Sequence, residues 1–232
     1  MNTLTGPKLR LANRIYLVLA ALFICSLVVS NLIFQKFFYW NPFGWFNFEI
    51  SVGLLPYPIT FLVTDLVSEI YGRRKANDLV LAGIFASVFS LGIIAVANVT
   101  PAIDASPIQD ALFTKVFGAT TIAVIASMSA YLFAQFIDIQ IYHFWKRLTN
   151  GKMLWLRNNF STIFSQFVDT LCVLLLLCFN KIIPWENFKS LLIAGFLFKM
   201  LVALIDTPLL YVGVYLFRRL FGLEVGEEIE ID

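Results

Sequence analysis

The sequence predicts an all-α, polytopic membrane protein: a bundle of six transmembrane helices with both termini cytoplasmic. Three observations carry that expectation. Of 232 residues, 59% are hydrophobic and only 14% are charged, against about 25% charge in soluble domains. Apolar runs long enough to cross a bilayer, roughly 20 residues each, recur along the whole chain. The basic residues also fall unevenly between alternate connections. Twelve lie on one side: Lys8, Arg10, Arg14, Arg73, Arg74, Lys75, Lys146, Arg147, Lys152, Arg157, Arg218 and Arg219. Four lie on the other: Lys36, Lys115, Lys181 and Lys189. Basic residues in short loops stay inside, so the richer side is assigned to the cytoplasm.

The first span covers about 15–37. Its apolar run is longer than the core of a signal peptide and has no small-x-small cleavage site before a soluble domain, so it reads as a retained helix. The second covers about 50–71. Pro56 and Pro58 suit the first turn of a helix; the alternative is a broken helix in which Ile50-Ser51-Val52-Gly53 is non-helical backbone lining a cavity. The third, about 79–99, carries no charge and stops at Thr100-Pro101. The fourth, about 116–145, is long enough to tilt. The fifth covers about 160–180 and the sixth about 190–217, with Pro208 expected to kink it. Residues 1–232 then form one transmembrane domain with an acidic tail at 222–232. The aromatic segment Asn41-Pro42-Phe43-Gly44-Trp45-Phe46 is expected to form an interfacial belt, or, more sharply, a lid over an outer vestibule.

Several function classes find no support. There is no GxxxxGK[ST] loop, no Ser/His/Asp set and no HExxH, and the single His143 stands alone. Cys25, Cys172 and Cys178 lie in apolar runs without metal-ligand spacing and read as small hydrophobes. No enzyme activity, cofactor, metal or nucleic-acid partner is expected. The surroundings are lipid, and a Phe-rich outer surface (24 Phe in all) could support a homodimer.

The informative residues are charges inside the spans. Asp65, Glu69, Asp138, Asp169 and Asp206 are acidic, and Lys199 is the one base. A carboxylate at the centre of a spanning helix costs roughly 2.5–3.5 kcal/mol on the insertion scale, so each is a functional-site candidate. Glu69 stands four residues before Arg73, which offers an ordinary ion pair at the inner interface as the rival reading. Lys199 and Asp206 are seven apart, nearly on one face; they would make a structural bridge, or Lys199 would keep a binding-site carboxylate ionised. Gln135-x-x-Asp138 and Gln166-x-x-Asp169 echo one another, and each pair shares a helix face, which suggests two polar faces turned to one cavity. Asn31 and Gln35 share a face of the first span, for helix bonding or for ligand. From the residues alone two readings stand: a transporter for a small polar organic molecule, or a cation or proton pathway.

Taken in order, Ser30-Asn31, Tyr57-Pro58…Thr64-Asp65…Glu69-Ile70-Tyr71-Gly72, Gln135-x-x-Asp138, Gln166-x-x-Asp169-Thr170 and Phe198-Lys199…Asp206-x-Pro208 resemble the queuosine-precursor transporter family, earlier labelled vitamin-uptake-like. The resemblance covers about 15–217. It implies a bacterial inner-membrane importer of 7-cyano-7-deazaguanine, 7-aminomethyl-7-deazaguanine or queuine for tRNA modification. A carboxylate, Asp65 or Asp169, would accept the imino and amino N–H groups of the guanine-like edge as a bidentate pair. Asn31, Gln135, Gln166 or Lys199 would donate to its carbonyl. Glu69, Asp138 and Asp206 complete the candidate set, the last two also as routes for proton coupling. The runner-up is a carrier, or a substrate-binding subunit like those of energy-coupling-factor transporters, for another vitamin-like heterocycle.

Overall fold

The computed structural model describes residues 6–33, 36–41, 44, 48–118, 121–150, 152–179 and 184–229. Gln35 and most of the aromatic 41–46 segment lie outside these residues. Helix α1 spans Pro7–Ile33, α3 Gly72–Val99, α5 Thr121–Leu148, α6 Leu154–Phe179 and α7 Phe188–Phe221. A one-turn helix, α4, covers Asp110–Phe113 and runs into a π-helical turn at Thr114–Gly118. The helices α1, α3, α6 and α7 are long and apolar enough to cross a membrane. The chain is therefore a helical membrane bundle.

The second segment differs from expectation. Its helix, α2, runs only from Tyr57 to Ile70, 14 residues, or about 21 Å at 1.5 Å per residue. That is shorter than the roughly 30 Å hydrocarbon core. The preceding stretch is not helical. Strand β1, Phe37–Trp40, pairs antiparallel with β2, Phe48–Ser51, in a register that sets Trp40 opposite Phe48. A 3-10 turn at Val52–Leu54 follows. The bundle is thus helical apart from one hairpin, and the broken-helix alternative describes this segment better than a continuous helix from residue 50. Pro56 and Pro58 explain the start: Pro lacks an N–H and fixes φ, so it opens a helix where that N–H would have no partner. The helix has Pro at its first positions and no side-chain cap.

At its other end α2 meets α3 with only Tyr71 between them, and Gly72 takes φ +83. A side chain is strained at such a φ, so the sharp turn depends on glycine. Helix α3 stops at Val99, before Thr100-Pro101, as expected. Helix α6 starts six residues earlier than the sequence suggests, and α7 runs unbroken through Pro208.

The core lies where α2 is surrounded. Phe61, Val63, Leu66, Val67 and Ile70 of α2 are buried with Phe23 and Leu27 of α1, Leu79 and Val80 of α3, and Leu210 and Val214 of α7. Helices α1 and α3 approach closely at Gly83, where a Cβ would come within 2.6 Å of the Phe23 ring. The outer faces of α3 and α7 carry many exposed large apolar side chains, among them Phe85, Phe89, Ile205 and Leu209, which lipid covers in a membrane.

Candidate functional site

Helix α2 carries Tyr57, Phe61, Asp65 and Glu69 at intervals of four, one stripe along one face. Each level of the stripe meets a different set of partners.

At the first level, Tyr57 donates its phenolic hydrogen to Asp169 Oδ2 at 2.9 Å. The Lys199 ammonium is paired with the same carboxylate oxygen and sits 5.1 Å from the centre of the Tyr57 ring. Asp169 is almost wholly buried, and its other oxygen, Oδ1, has no hydrogen-bond partner among the described residues. One turn earlier on α6, Gln166 is also buried, and its Oε1 likewise has no partner among them. A slot opens here between α2, α6 and α7, walled by Tyr57, Phe61, Gln166, Phe198, Lys199 and Asp206. Its volume is about 20 Å³, enough for roughly one water, so its walls must part to admit anything larger. Trp40 of the hairpin packs edge-on against Phe198, ring centres 5.3 Å apart, which places β1 beside this slot.

At the second level, Asp65 faces Asp138 of α5. Asp138 is fully buried and accepts from Ser165 Oγ at 2.9 Å, with Ser161 and Asp65 also within hydrogen-bonding reach. Two carboxyl groups can be hydrogen-bonded to each other only through a shared proton. Gln135, one turn before Asp138, donates to Thr64 Oγ1 at 3.3 Å. The two Gln–Asp pairs therefore do not face one cavity. The α5 pair turns to the middle of α2, and the α6 pair turns to the slot and the groups behind it.

At the third level, Glu69 is buried and accepts from Arg218 of α7 at 2.7 Å and from Tyr142 of α5 at 3.2 Å. Lys146 Nζ stands 3.6 Å from its carboxylate. The expected local partner, Arg73, is exposed, and among the described residues the ion pairs of Glu69 are with Arg218 and Lys146. The geometric reason is that Tyr71 and Gly72 break the helix, so Glu69 and Arg73 are not on a common turn. The Lys199–Asp206 bridge is likewise replaced, by Lys199–Asp169. Asn31 joins none of the three levels: its amide donates to the Leu27 carbonyl of its own helix at 3.0 Å.

Sequence reasoning missed the role of Tyr57, although it stands beside Pro58 at the head of the stripe. The interval of four leading from it to Asp65 and Glu69 was the available signal. It also missed Lys146 and Arg218, which had been counted only as topological charges.

This membrane bundle, with its buried polar stripe and aromatic slot, matches transporters. The chain belongs to the family described as "Putative vitamin uptake transporter", which matches residues 51–213. It is 30% identical over 169 residues to the "Probable queuosine precursor transporter" of Bacillus subtilis (strain 168), covering 72% of each chain. It is 25% identical over 181 residues to a protein of the same description from Haemophilus influenzae, covering 77% of this chain and 69% of that one. It is 25% identical over 201 residues to the "Queuosine precursor transporter" of Escherichia coli (strain K12), covering 81% and 82%. No solved structure matches the chain significantly.

Proposed function

We propose that this protein imports queuosine precursors across the bacterial inner membrane, carrying its cargo unchanged, with the slot at the head of α2 as the cargo site. The observation that carries the reading is the pair of buried acceptors one turn apart on α6, Asp169 Oδ1 and Gln166 Oε1, beside three aromatic side chains. Buried acceptors without donors are costly, about 1–3 kcal/mol each and more when charged, so the site favours a ligand that brings N–H groups. A 7-deazaguanine has an imino N–H next to an exocyclic amine on a flat ring. The ring stacks on Tyr57, Phe61 or Phe198, and the edge donates to Asp169 as a charge-assisted bond and to the neutral Gln166 amide oxygen. Lys199, drawn away from Asp169, donates to the ring carbonyl. Asp206 accepts the amine of the aminomethyl form or of queuine.

In this reading Asp65, Asp138 and Gln135 tie α2 to α5 and α6 rather than touch cargo, and Glu69 belongs to the basic end of the bundle. Asn31 holds its own helix. Six spans, with the hairpin and half-length α2 making the second crossing, are part of this reading, and the charge asymmetry assigns the basic end to the cytoplasm.

The test is rescue. A strain lacking both queuosine synthesis and its own importer, given this protein, should recover queuosine in tRNA from at least one of the three precursors. No rescue with any of them overturns the proposal. Saturable uptake without ionic current separates this reading from a cation pathway, and rescue in a host lacking coupling ATPases separates it from a substrate-binding subunit.

A further inference from the structure

The C-terminal carbonyls of α2 have an unusual set of partners. The last carbonyls of a helix have no partner within it. Here Lys146 of α5 donates to the Ser68 and Glu69 carbonyls at 3.4 and 3.1 Å. The Ile70 carbonyl accepts from the backbone N–H of Ile229 at 2.7 Å. Ile229 belongs to a non-helical segment that leaves α7 at Gly222 and folds back across this end of the bundle. Leu223 and Ile229 bury their side chains in the same core as Val67, Ile70 and Tyr71. Glu228 pairs with Lys146 at 2.7 Å, and Lys146 is itself buried. Glu228 also lies where a Cβ on residue 72 would be, so Gly72 leaves the space it occupies. Beside this contact is a cavity of about 600 Å³, walled by Arg73, His143, Lys146 and Arg147 and by the segment from Val225 to Glu228.

We propose that residues 223–229 are a gate strap that closes the basic end of the bundle, latched by Glu228 on Lys146, and that cargo leaves only when it lifts. The proposal rests on the transport reading above. Four features support it. The strap crosses the ends of α2, α5 and α7, of which α2 and α7 also wall the cargo slot. It is held by a few discrete contacts rather than by a helix of its own. Its latch is an ion pair whose basic partner also holds Glu69 and the end of α2. The partly open cavity next to it is lined by groups that water or phosphate can solvate once Glu228 departs. Opening and closing of such a segment is the usual form of a lid over a site.

Two measurements test the strap in the full-length protein with Cys25, Cys172 and Cys178 replaced by Ser. In the first, Ile70→Cys and Ile229→Cys are joined by oxidation, and precursor uptake and precursor binding are followed in proteoliposomes. Oxidation is expected to lower uptake about tenfold or more while binding persists, with reductant restoring the rate. Equal uptake by the oxidised and reduced forms overturns the proposal. In the second, Ile229→Cys is labelled with a membrane-impermeant maleimide, with and without Glu228→Gln. Loss of the latch is expected to raise the labelling rate about tenfold; an unchanged rate overturns the latch. The labelling needs no cargo. If the reduced protein moves none of the three precursors, the transport reading falls, and the labelling decides the strap by itself.

Discussion

The sharpest consequence of the slot concerns Asp169, tested alone and together with its counter-ion. Asp169 and Lys199 form a buried pair, with side chains 2% and 12% exposed. Asp169→Asn keeps the shape but removes the charge, leaving the Lys199 ammonium without a carboxylate. Breaking one side of a buried pair costs about 3–5 kcal/mol. The single variant should therefore show a clearly lowered thermal midpoint in detergent. Adding Lys199→Met removes the stranded charge, and most of that loss should return. Cargo binding should not follow stability. The variant loses the charge-assisted hydrogen bond between Asp169 and the guanine-like edge, worth about 1.5–3 kcal/mol. At about 1.4 kcal/mol per tenfold, Kd should weaken by roughly 10- to 100-fold in the single variant and further in the double, which also loses the Lys199 donor to the ring carbonyl. Counterflow in proteoliposomes gives the affinity, and differential scanning fluorimetry gives the midpoint. An Asp169→Asn protein that binds cargo within about threefold of the parent would refute the site. A double variant as unstable as the single would refute the ion-pair account.

Glu69→Gln strands Arg218 and Lys146 and should cost about 3 kcal/mol, toward the low end for buried pairs, because Arg218 is partly exposed and Lys146 keeps Glu228. Its cargo affinity should stay within about twofold of the parent, because Glu69 lies about two helical turns beyond Phe61, the last α2 residue of the slot wall. Asn31→Ala should change stability by about 0.5 kcal/mol at most and leave uptake intact; a lost uptake would return Asn31 to the site. Gly72→Ala should destabilise by about 1–2 kcal/mol from its left-handed backbone alone and also push out Glu228, so unchanged stability with unchanged strap labelling would contradict the turn geometry.

Much of the helical framework was legible because long apolar runs have one physical reading in a bilayer. The hairpin was not. Residues Phe48-Glu49-Ile50-Ser51-Val52 alternate apolar and polar, which is the period of a strand, but a span read over 50–71 absorbs most of that signal. The prolines marked the true helix start and were read as one option among two. The site was half legible. Buried acids stand out because charge is scarce in such a chain, and Gln166, Lys199 and Asp206 line one slot, with Asp169 paired to Lys199. Pairings were illegible where a local candidate masked a distant one. Arg73 is four residues from Glu69, whereas Arg218 is 149 residues away, and only the fold decides between them. Asp138 was grouped with Asp169 by a shared Gln-x-x-Asp pattern, yet spacing within a helix does not fix which neighbour that face meets.

The half-length of α2 also bears on how the chain is made. During synthesis α2 reaches the membrane with two carboxylates, at about 2.5–3.5 kcal/mol each near the bilayer centre, and too few residues to span. None of its polar partners yet exists: Asp138 and Lys146 come with α5, Asp169 with α6, and Lys199 and Arg218 with α7. Its stripe can be satisfied only once α7 has been translated. The polar contacts of this helix are therefore completed only when the last helix of the bundle joins it.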